Sequence, residues 1–301
     1  MVIDEVQKVI VGKRDVLENI LIALLSDGHV ILEGVPGIAK TMMAKNVART
    51  LGCEFRRIQF TPDLLPADIV GTYVYEPNKG SFYLRKGPIF ANIVLADEIN
   101  RAPPKTQSAL LECMQEKQVT IEGNTLLLPG PFMVLATQNP IELAGTYPLP
   151  EAQIDRFIFR LILGYPTEEE EVTILNRMDR YDEPVADEVT DQETIVSMQR
   201  AISKVHVDQN IIHYIKDLIF QTREDNRILL GGSPRASVVL LRASKARAAI
   251  QGRDFVLPDD VKALVDPVLN HRLILRPEVE LAGTDVHKVI VDILSEVKVP
   301  D

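Results

Sequence analysis

Apolar residues follow two different patterns in the two parts of the chain. In about the first 165 residues, uniform apolar runs such as 30–32, 93–96 and 132–136 alternate with segments whose apolar positions recur every three or four residues. Short uniform runs are typical of strands buried on both faces of a parallel sheet, and the longer period is typical of helices. This part is therefore predicted to be an α/β domain with a parallel sheet.

From about residue 166 onward the apolar spacing is almost entirely helical. Helices are predicted over residues 168–180, 191–204, 208–223, 235–251, 259–266 and 285–297, with an exposed loop at 226–232. Thr167 precedes four glutamates and is predicted to cap the first of these helices. The chain's 301 residues suit two domains, and Gly164-Tyr165-Pro166 is the best boundary between a core at 1–165 and a helical domain at 166–301.

Shorter elements complete the first domain. Residues 3–25 are predicted to form one or two helices interrupted at 11–13, and 54–60 a second strand. Alternating residues around two polar turns predict hairpins at 72–84 and 119–128, the first of which could be a plain surface feature.

A Gly/Pro loop between a predicted strand and a predicted helix carries the clearest chemical signal. Strand, glycine loop, Lys40-Thr41 and helix together match the phosphate-binding loop of nucleotide triphosphatases. Loop N–H groups and the helix N-terminus attract phosphate, Lys40 would reach the terminal phosphates, and Thr41 would ligate Mg²⁺. The residues predicted to contact nucleotide are Gly34, Val35, Pro36, Gly37, Ile38, Ala39, Lys40, Thr41 and Met42.

Ala39 departs from the general pattern, which has glycine just before the lysine. Alanine adopts the left-handed conformation only at a cost. We therefore expect the loop to be right-handed and helical one residue earlier, at Ala39.

Two carboxylates follow the uniform apolar run at 93–96. Ligands of open α/β sheets bind at the carboxyl ends of the strands, so Asp97 is predicted to hold Mg²⁺ through water and Glu98 to act as general base for the attacking water. Asn139 ends the next predicted strand. It could contact the γ-phosphate or the water, or it could simply cap the chain before Pro140.

Two arginines further along the chain are candidates for anion binding. Arg156 follows Asp155 on a short predicted helix at 151–157 and could be a structural partner of that carboxylate. Arg235 follows Ser233-Pro234, which is the start pattern of a helix. The helix dipole disfavours a cation there, and a bound anion would relieve this.

Composition narrows the class of protein. The chain is 46% hydrophobic and 25% charged, which is ordinary for a soluble globular protein, and its net charge of −10 argues against a broad nucleic-acid surface. No apolar run approaches membrane-span length and the start lacks a signal pattern, so a cytoplasmic location is expected. Cys53 and Cys113 lack metal-site spacing and are expected to be buried, reduced thiols.

Several blocks in a fixed order make the chain resemble the MoxR family of AAA+ ATPases. The resemblance covers nearly the whole length, and the Ala39 that departs from the general phosphate loop is what this family usually carries. The blocks are 34–41, 97–102 with 107–112, 136–140, 145–153, 155–157 and 233–235. The resemblance implies a P-loop AAA+ core of αβα layers and a C-terminal helical lid.

The resemblance also implies roles for individual residues. Asn139 is similar to the sensor 1 residue, Arg156 to an arginine finger that reaches the ATP of a neighbouring subunit, and Arg235 to the sensor 2 arginine. Val11 and Gly12 would line the adenine pocket, although Lys13 stands where family members commonly have Gln.

The resemblance further implies a magnesium-dependent ATPase that works as a ring, expected to be a hexamer. Its expected role is chaperone-like remodelling of partner proteins, in complex maturation or metal cofactor insertion, with a partner that carries a von Willebrand factor A domain. The hairpins at 72–84 and 119–128 would face the pore or the client. The alternatives are a nucleic-acid motor or loader and a slowly hydrolysing, nucleotide-gated binding switch.

Overall fold

The computed structural model describes residues 1–35, 37–139, 145–179 and 184–300. The chain forms two compact units. The first comprises Met1–Ile20, His29–Leu149 and Leu161–Val196, and the second comprises Leu21–Gly28, Pro150–Arg160 and Ser197–Asp301. Residues 161–196 thus group with the first unit, and the domain boundary at residue 165 remains a prediction.

The described residues contain these elements. The strands are β1 Val30–Gly34, β2 Phe55–Gln59, β3 Gly71–Glu76, β4 Ser81–Lys86, β5 Ile93–Asp97, β6 Gln118–Ile121, β7 Asn124–Leu127, β8 Met133–Gln138, β9 Phe159–Leu163, β10 Ile228–Leu230 and β11 Ile274–Leu275. The helices are α1 Val2–Gln7, α2 Arg14–Leu25, α3 Lys40–Thr50, α4 Pro66–Val70, α5 Pro104–Glu116, α6 Glu151–Ile154, α7 Glu168–Asp179, α8 Gln192–Ile202, α9 Gln209–Glu224, α10 Pro234–Ile250, α11 Pro258–Leu269, α12 Pro277–Leu281 and α13 Val286–Glu296.

Five of the described strands form the central sheet, in the order β2-β5-β8-β1-β9. The pairs β1–β8, β2–β5 and β5–β8 are parallel. Every residue of β5 is buried, as is β8 up to Thr137, which explains why residues 93–96 and 133–136 are uniformly apolar in sequence. The predicted α/β core with a parallel sheet is confirmed.

The register of the sheet places the candidate site residues at one edge. Gln59 on β2 is opposite Asp97 on β5, and Glu33 on β1 is opposite Gln138 on β8. Because parallel strands end at the same edge of a sheet, the loop after β1, the carboxylates after β5 and Asn139 after β8 lie close together.

Both hairpins are confirmed. β3 pairs with β4 and β6 with β7, all antiparallel, and Asn124 Nδ2 donates to the Tyr73 hydroxyl at 3.1 Å between the two hairpins. Thr167 also caps α7 as predicted: its Oγ1 accepts from the Glu170 N–H at 3.2 Å, and Glu170 Oε2 accepts from the Thr167 N–H at 2.9 Å.

The second unit is mainly helical, with α10 packed against α9 and α11 and with α13 packed against α9 and α11. Its core consists of apolar side chains that recur at helical spacing, among them Leu218, Leu240, Leu264 and Ile290. The predicted helices are present to within a few residues at their ends. The expected loop at 226–232 is wrong, because β10 lies within it and pairs with β11. Strands of two or three residues carry no detectable apolar period, and the same is true of the five-residue α12.

Cys53 and Cys113 are free thiols and both are buried, as predicted. Burial raises the pKa of the Cys113 thiol to about 12 and that of Cys53 to about 11. Among the described residues, none of the helices combines the length and apolar character that a membrane crossing requires.

Candidate active site

The loop after β1 presents backbone N–H groups to one side. Gly37 has φ 85°, Ala39 has φ 61°, and α3 begins at Lys40. Left-handed residues in such a turn direct successive N–H groups into a concave nest that binds anions, and the N-terminus of α3 adds partial positive charge. The predicted loop residue Pro36 lies outside the described residues.

The backbone conformation predicted for Ala39 is wrong. It is the residue before α3, with φ 61° and ψ 20°, so it is left-handed and the helix does not begin at it. Its carbonyl accepts the Met43 N–H at 2.8 Å, which is the first turn of α3. The left-handed conformation costs alanine about 1–2 kcal/mol. Strain of this kind is tolerated where the surrounding structure fixes a functional loop.

Lys40 folds back over the loop. Its Nζ donates to the Gly34 carbonyl at 2.6 Å, which places the amine beside the turn that carries Gly37. Burial lowers the pKa of Lys40, while the charges of Asp97, Glu98 and Glu33 act in the opposite direction. The three nearby carboxylates and the loop carbonyl keep this half-buried cation inside the site.

Asp97 is held from two sides. Its side chain is 13% exposed, and its Oδ2 accepts from Nε and Nη2 of Arg57 at 3.0 and 2.6 Å. Its Oδ1 accepts from the Thr137 hydroxyl at 2.6 Å. The carboxylate is thus fixed in orientation and charge-balanced by an arginine that enters from the neighbouring strand.

Glu98 is also oriented by neighbours. It has φ 58°, and its N–H donates to Thr137 Oγ1 at 2.8 Å. Its Oε2 accepts from Gln59 Nε2 at 2.7 Å and lies 3.2 Å from Arg101 Nε. The left-handed backbone turns the Glu98 side chain away from the direction that strand alternation would give it.

These groups surround one cavity of about 390 Å³ in the first unit. Its lining contains Gly37, Ile38, Ala39, Lys40, Thr41, Met42, Arg57, Asp97, Glu98, Thr137 and Asn139. The volume is within the range of ligand pockets. A nest of N–H groups, a lysine, a hydroxyl and a carboxylate are the groups that suit nucleotide phosphates and Mg²⁺, so the residues present fit both.

Sequence reasoning missed four residues of this site: Arg57, Gln59, Arg101 and Thr137. Arg57 and Gln59 lie on edge strand β2, where the polar side chains gave the only available signal. Thr137 stands beside Asn139 at the end of β8, and nothing in the sequence distinguishes it as the link between Asp97 and Glu98.

Val11 and Gly12 are not among the residues that line the cavity. Gly12 has φ 68°, and a Cβ there would lie 1.7 Å from Glu170 Oε1. Lys13, at φ 55°, donates from Nζ to the Tyr165 carbonyl at 3.0 Å and lies 3.8 Å from Glu170. This segment is therefore tightly packed within the first unit, and its contact with adenine stays a prediction.

The two candidate arginines lie in the second unit. Arg156 follows α6 and is partly exposed, and Arg235 is exposed as the second residue of α10. The carboxylate of Asp155 accepts from Arg272 Nε at 2.7 Å and from the Ser233 hydroxyl at 3.4 Å. Their roles toward a nucleotide stay predictions.

Known proteins resemble this chain along most of its length. Residues 29–159 match the family described as "ATPase family associated with various cellular activities (AAA)", and residues 220–293 match the AAA lid domain. The uncharacterized protein YeaC of Bacillus subtilis is 47% identical over 300 residues, covering 99% of this chain and 93% of YeaC. Chaperone MoxR1 of Mycobacterium tuberculosis is 46% identical over 280 residues, covering 90% of this chain and 74% of MoxR1.

A solved structure has nearly the same fold. The crystal structure of a protein from Cytophaga hutchinsonii, assigned as an ATPase, superposes with a TM-score of 0.93 at 45% sequence identity. The match covers 100% of this chain and 94% of the other.

Proposed function

Because the chain belongs to the MoxR family of AAA+ ATPases and is an ATPase with a chaperone-type role, we propose that it couples magnesium-dependent ATP hydrolysis to the remodelling of partner proteins. The observation that carries this proposal is the cavity at the sheet edge. It gathers the N–H groups of the loop, Lys40, Asp97 and Glu98 around a single space.

Each residue of the cavity has a distinct task in this proposal. The N–H groups of residues 37–41 and the amine of Lys40 bind the phosphates and offset their charge. Mg²⁺, held through Thr41 and Asp97, would supply further charge neutralisation on the phosphates. Glu98 orients the attacking water and takes its proton, and Asn139 contacts the γ-phosphate or that water.

The contacts of Glu98 are compatible with its proposed role as a base. Gln59 and Arg101 both bind its Oε2. A carboxylate has a second oxygen with lone pairs of its own. Oε1 can therefore accept the proton of the attacking water while the contacts at Oε2 hold the side chain in place.

Assembly belongs to the same proposal. Arg156 of one subunit would reach the ATP of its neighbour in a ring, expected to be a hexamer, and Arg235 would contact phosphate in cis or in trans. A second cation at the transferring phosphoryl group is worth orders of magnitude in rate. Dependence of the rate on assembly follows from this role.

The hairpins supply a surface that suits a protein client. Tyr75 on β3 and Phe82 on β4 are exposed, with ring centroids 5.2 Å apart, and Tyr83 is exposed beside them. Exposed aromatic clusters of this kind mark contact surfaces. The proposed partner is a protein with a von Willebrand factor A domain, the proposed outcome is complex maturation or metal cofactor insertion, and the proposed location is the cytoplasm.

The direct test compares two variants of the cavity with one control. Lys40→Ala removes the phosphate cation and should weaken binding of a fluorescent ATP analogue at least about tenfold, since a charge-assisted contact is lost. Glu98→Gln should bind the analogue normally and lower kcat at least about 100-fold, since the base is lost.

Lys45→Ala is the matched control, because Lys45 is an exposed lysine on the same helix α3. It should bind and hydrolyse like the parent protein. Normal analogue affinity in Lys40→Ala would contradict the phosphate-loop assignment, and an undiminished kcat in Glu98→Gln would remove that residue as the base.

A further inference from the structure

A buried arginine in the second unit binds the turn that carries Arg156. Arg272 lies just after α11, and its side chain is 2% exposed. Its Nε donates to Asp155 Oδ1 at 2.7 Å, and its Nη2 donates to the carbonyls of Asp155 and Phe157 at 3.1 and 2.5 Å. Its Nη1 donates to the Ile158 carbonyl at 3.2 Å. One guanidinium thus reaches both sides of Arg156 along the chain.

The backbone explains why a cation suits this position. α6 ends at Ile154, and the carbonyls that Arg272 binds lie after it, where no further helical turn supplies N–H donors. Side-chain donors just beyond a helix C-terminus satisfy such carbonyls. Arg272 does so at the point where Arg156 follows the helix. The turn is therefore fixed by a side chain 117 residues away from Asp155 in sequence.

Asp155 extends this contact to the helix that carries Arg235. Its Oδ2 accepts from the hydroxyl of Ser233 at 3.4 Å, and Ser233 is the N-cap residue of α10. Arg235 is also near: burial lowers the pKa of Arg272, the hydrogen bond with Asp155 opposes that effect, and the charge of Arg235 adds to the lowering. Asp155 is thus a carboxylate placed among the cations of this cluster.

We propose that Arg272 and Asp155 are positioning residues, which fix the turn of Arg156 and the start of α10 so that Arg156 and Arg235 move as one body. The proposal rests on the proposed roles of these two arginines. A cation stabilises a transferring phosphoryl group only within a narrow range of positions, so an arginine on a short, partly exposed turn needs support of this kind. Arg272 acts through the chain to Arg156 and does not itself contact nucleotide.

Amide hydrogen exchange tests the positioning without any catalysis. Asp155→Ala removes the carboxylate, and Arg272→Lys keeps the charge but loses the planar donor fork. In both variants the amides of residues 156–158 should exchange at least about tenfold faster, since the opening of this turn becomes easier. Asp225→Ala is the matched control, because it removes a carboxylate bound by Arg227 in the same unit and does not touch this cluster. Exchange at 156–158 equal to that of the control would overturn the proposal.

A double-mutant cycle then connects the cluster to catalysis. Asp155→Ala should lower kcat at least about tenfold, and should cause no further loss when Arg156 and Arg235 are both already alanine, because coupled residues are not additive. A full additional loss in that background would overturn the proposal, since Asp155 would then act by another route. If the background without the two arginines retains the parental kcat, their proposed roles fail instead, and the exchange experiment alone decides whether the cluster positions the turn.

Discussion

Thr137 joins the two carboxylates at the end of β5. It is 1% exposed, donates its hydroxyl hydrogen to Asp97 Oδ1 at 2.6 Å and accepts the Glu98 N–H at 2.8 Å. A single hydroxyl therefore uses both its donor and its acceptor capacity inside the site. Valine has nearly the same shape and can do neither.

Thr137→Val should lower the free energy of unfolding by about 1–3 kcal/mol, because a buried N–H and a carboxylate oxygen lose their partner. It should also lower kcat at least about tenfold, because Asp97 and Glu98 lose their common orientation. Urea unfolding and steady-state ATPase assays measure the two effects.

Thr106→Val is the matched control for this substitution. Thr106 is 2% exposed and donates to the Leu64 carbonyl at 2.7 Å, away from the cavity lining. It should show a stability loss with an unchanged kcat. Equal kcat in the two variants would contradict the proposed function of Thr137.

The sequence predicts the charged residues of the site better than the residues that orient them. Lys40, Asp97 and Glu98 stand at recognisable places relative to strands and loops, and the structure brings all three to one cavity. Arg57 and Thr137 are each 40 residues from Asp97, and only the strand order makes them neighbours. Ala39 was predicted wrongly because local propensity is overridden where the loop must aim its N–H groups.

At the scale of elements, the turn after α11 contains a half-buried histidine, His271. Burial, with the charge of Arg272 adding to it, lowers the pKa of His271 well below its ordinary value. Its Nδ1 lies 3.2 Å from Asn270 Oδ1, and its Nε2 lies 2.8 Å from Arg272 Nη1 and 3.2 Å from the Phe157 carbonyl oxygen. A neutral ring that donates from Nδ1 can accept from Arg272 at Nε2, while Arg272 Nη2 donates to the Phe157 carbonyl. A protonated ring would place a hydrogen against the guanidinium.

Acid should therefore weaken the fold through His271. The pKa of His271 is lower in the folded than in the unfolded protein. Below about pH 6.5 the unfolded chain therefore binds a proton that the folded protein does not, and stability decreases as the pH is lowered. The free energy of unfolding should therefore decrease as the pH is lowered from about 6.5 towards 5. The measurement is the free energy of urea unfolding between pH 5 and 8.

Two histidine variants isolate this effect from that of the carboxylates. His271→Gln should make the free energy of unfolding less dependent on pH below about 6.5 than it is in the parent protein. His213→Gln, at an exposed position on α9, should leave it unchanged. A parental slope in His271→Gln would mean that another group causes the acid loss.

The hairpin β3–β4 is the surface that we propose binds protein clients. Phe82 is 67% exposed and Tyr75 is 52% exposed, so replacing both with serine should change the free energy of unfolding by less than about 1 kcal/mol. Basal ATPase activity should stay at the parental level. Stimulation of the ATPase by a carboxymethylated, permanently unfolded protein should be lost.

Phe220→Ser serves as the control for the hairpin variant. Phe220 is 49% exposed on α9, and its ring lies under the Arg223 guanidinium, outside both hairpins. Stimulation should persist in this variant. Loss of stimulation in both variants, or in neither, would remove the hairpin as the client surface.

Helices and strands could be predicted from the sequence where they are long or where their apolar residues recur at a clear spacing. The buried strands, both hairpins and the longer helices follow from apolar period and turn residues. β10, β11 and α12 were missed, because two to five residues span too little of any period to show one. The pairing of β10 with β11 brings together segments more than 40 residues apart in sequence, which no local pattern records.

At the scale of the whole molecule, the proposed site is one that a single chain does not complete. The cavity holds the proposed phosphate-binding groups and the proposed base, and the proposed finger, Arg156, lies in the other unit of the chain and would act on a neighbouring subunit. The net charge of −10 favours a protein client over a nucleic acid. Sequence resemblance indicated this division of roles, but neither pattern nor composition determines how many subunits assemble.

The most direct test is the ATPase rate per subunit measured against protein concentration, with light scattering on the same samples and with ATP and Mg²⁺ present. The account predicts that specific activity rises as a ring appears, and that mixing Arg156→Ala with Lys40→Ala restores part of the rate, because each variant supplies what the other lacks. A constant specific activity from a monomer, with no rescue in the mixture, would contradict the shared site.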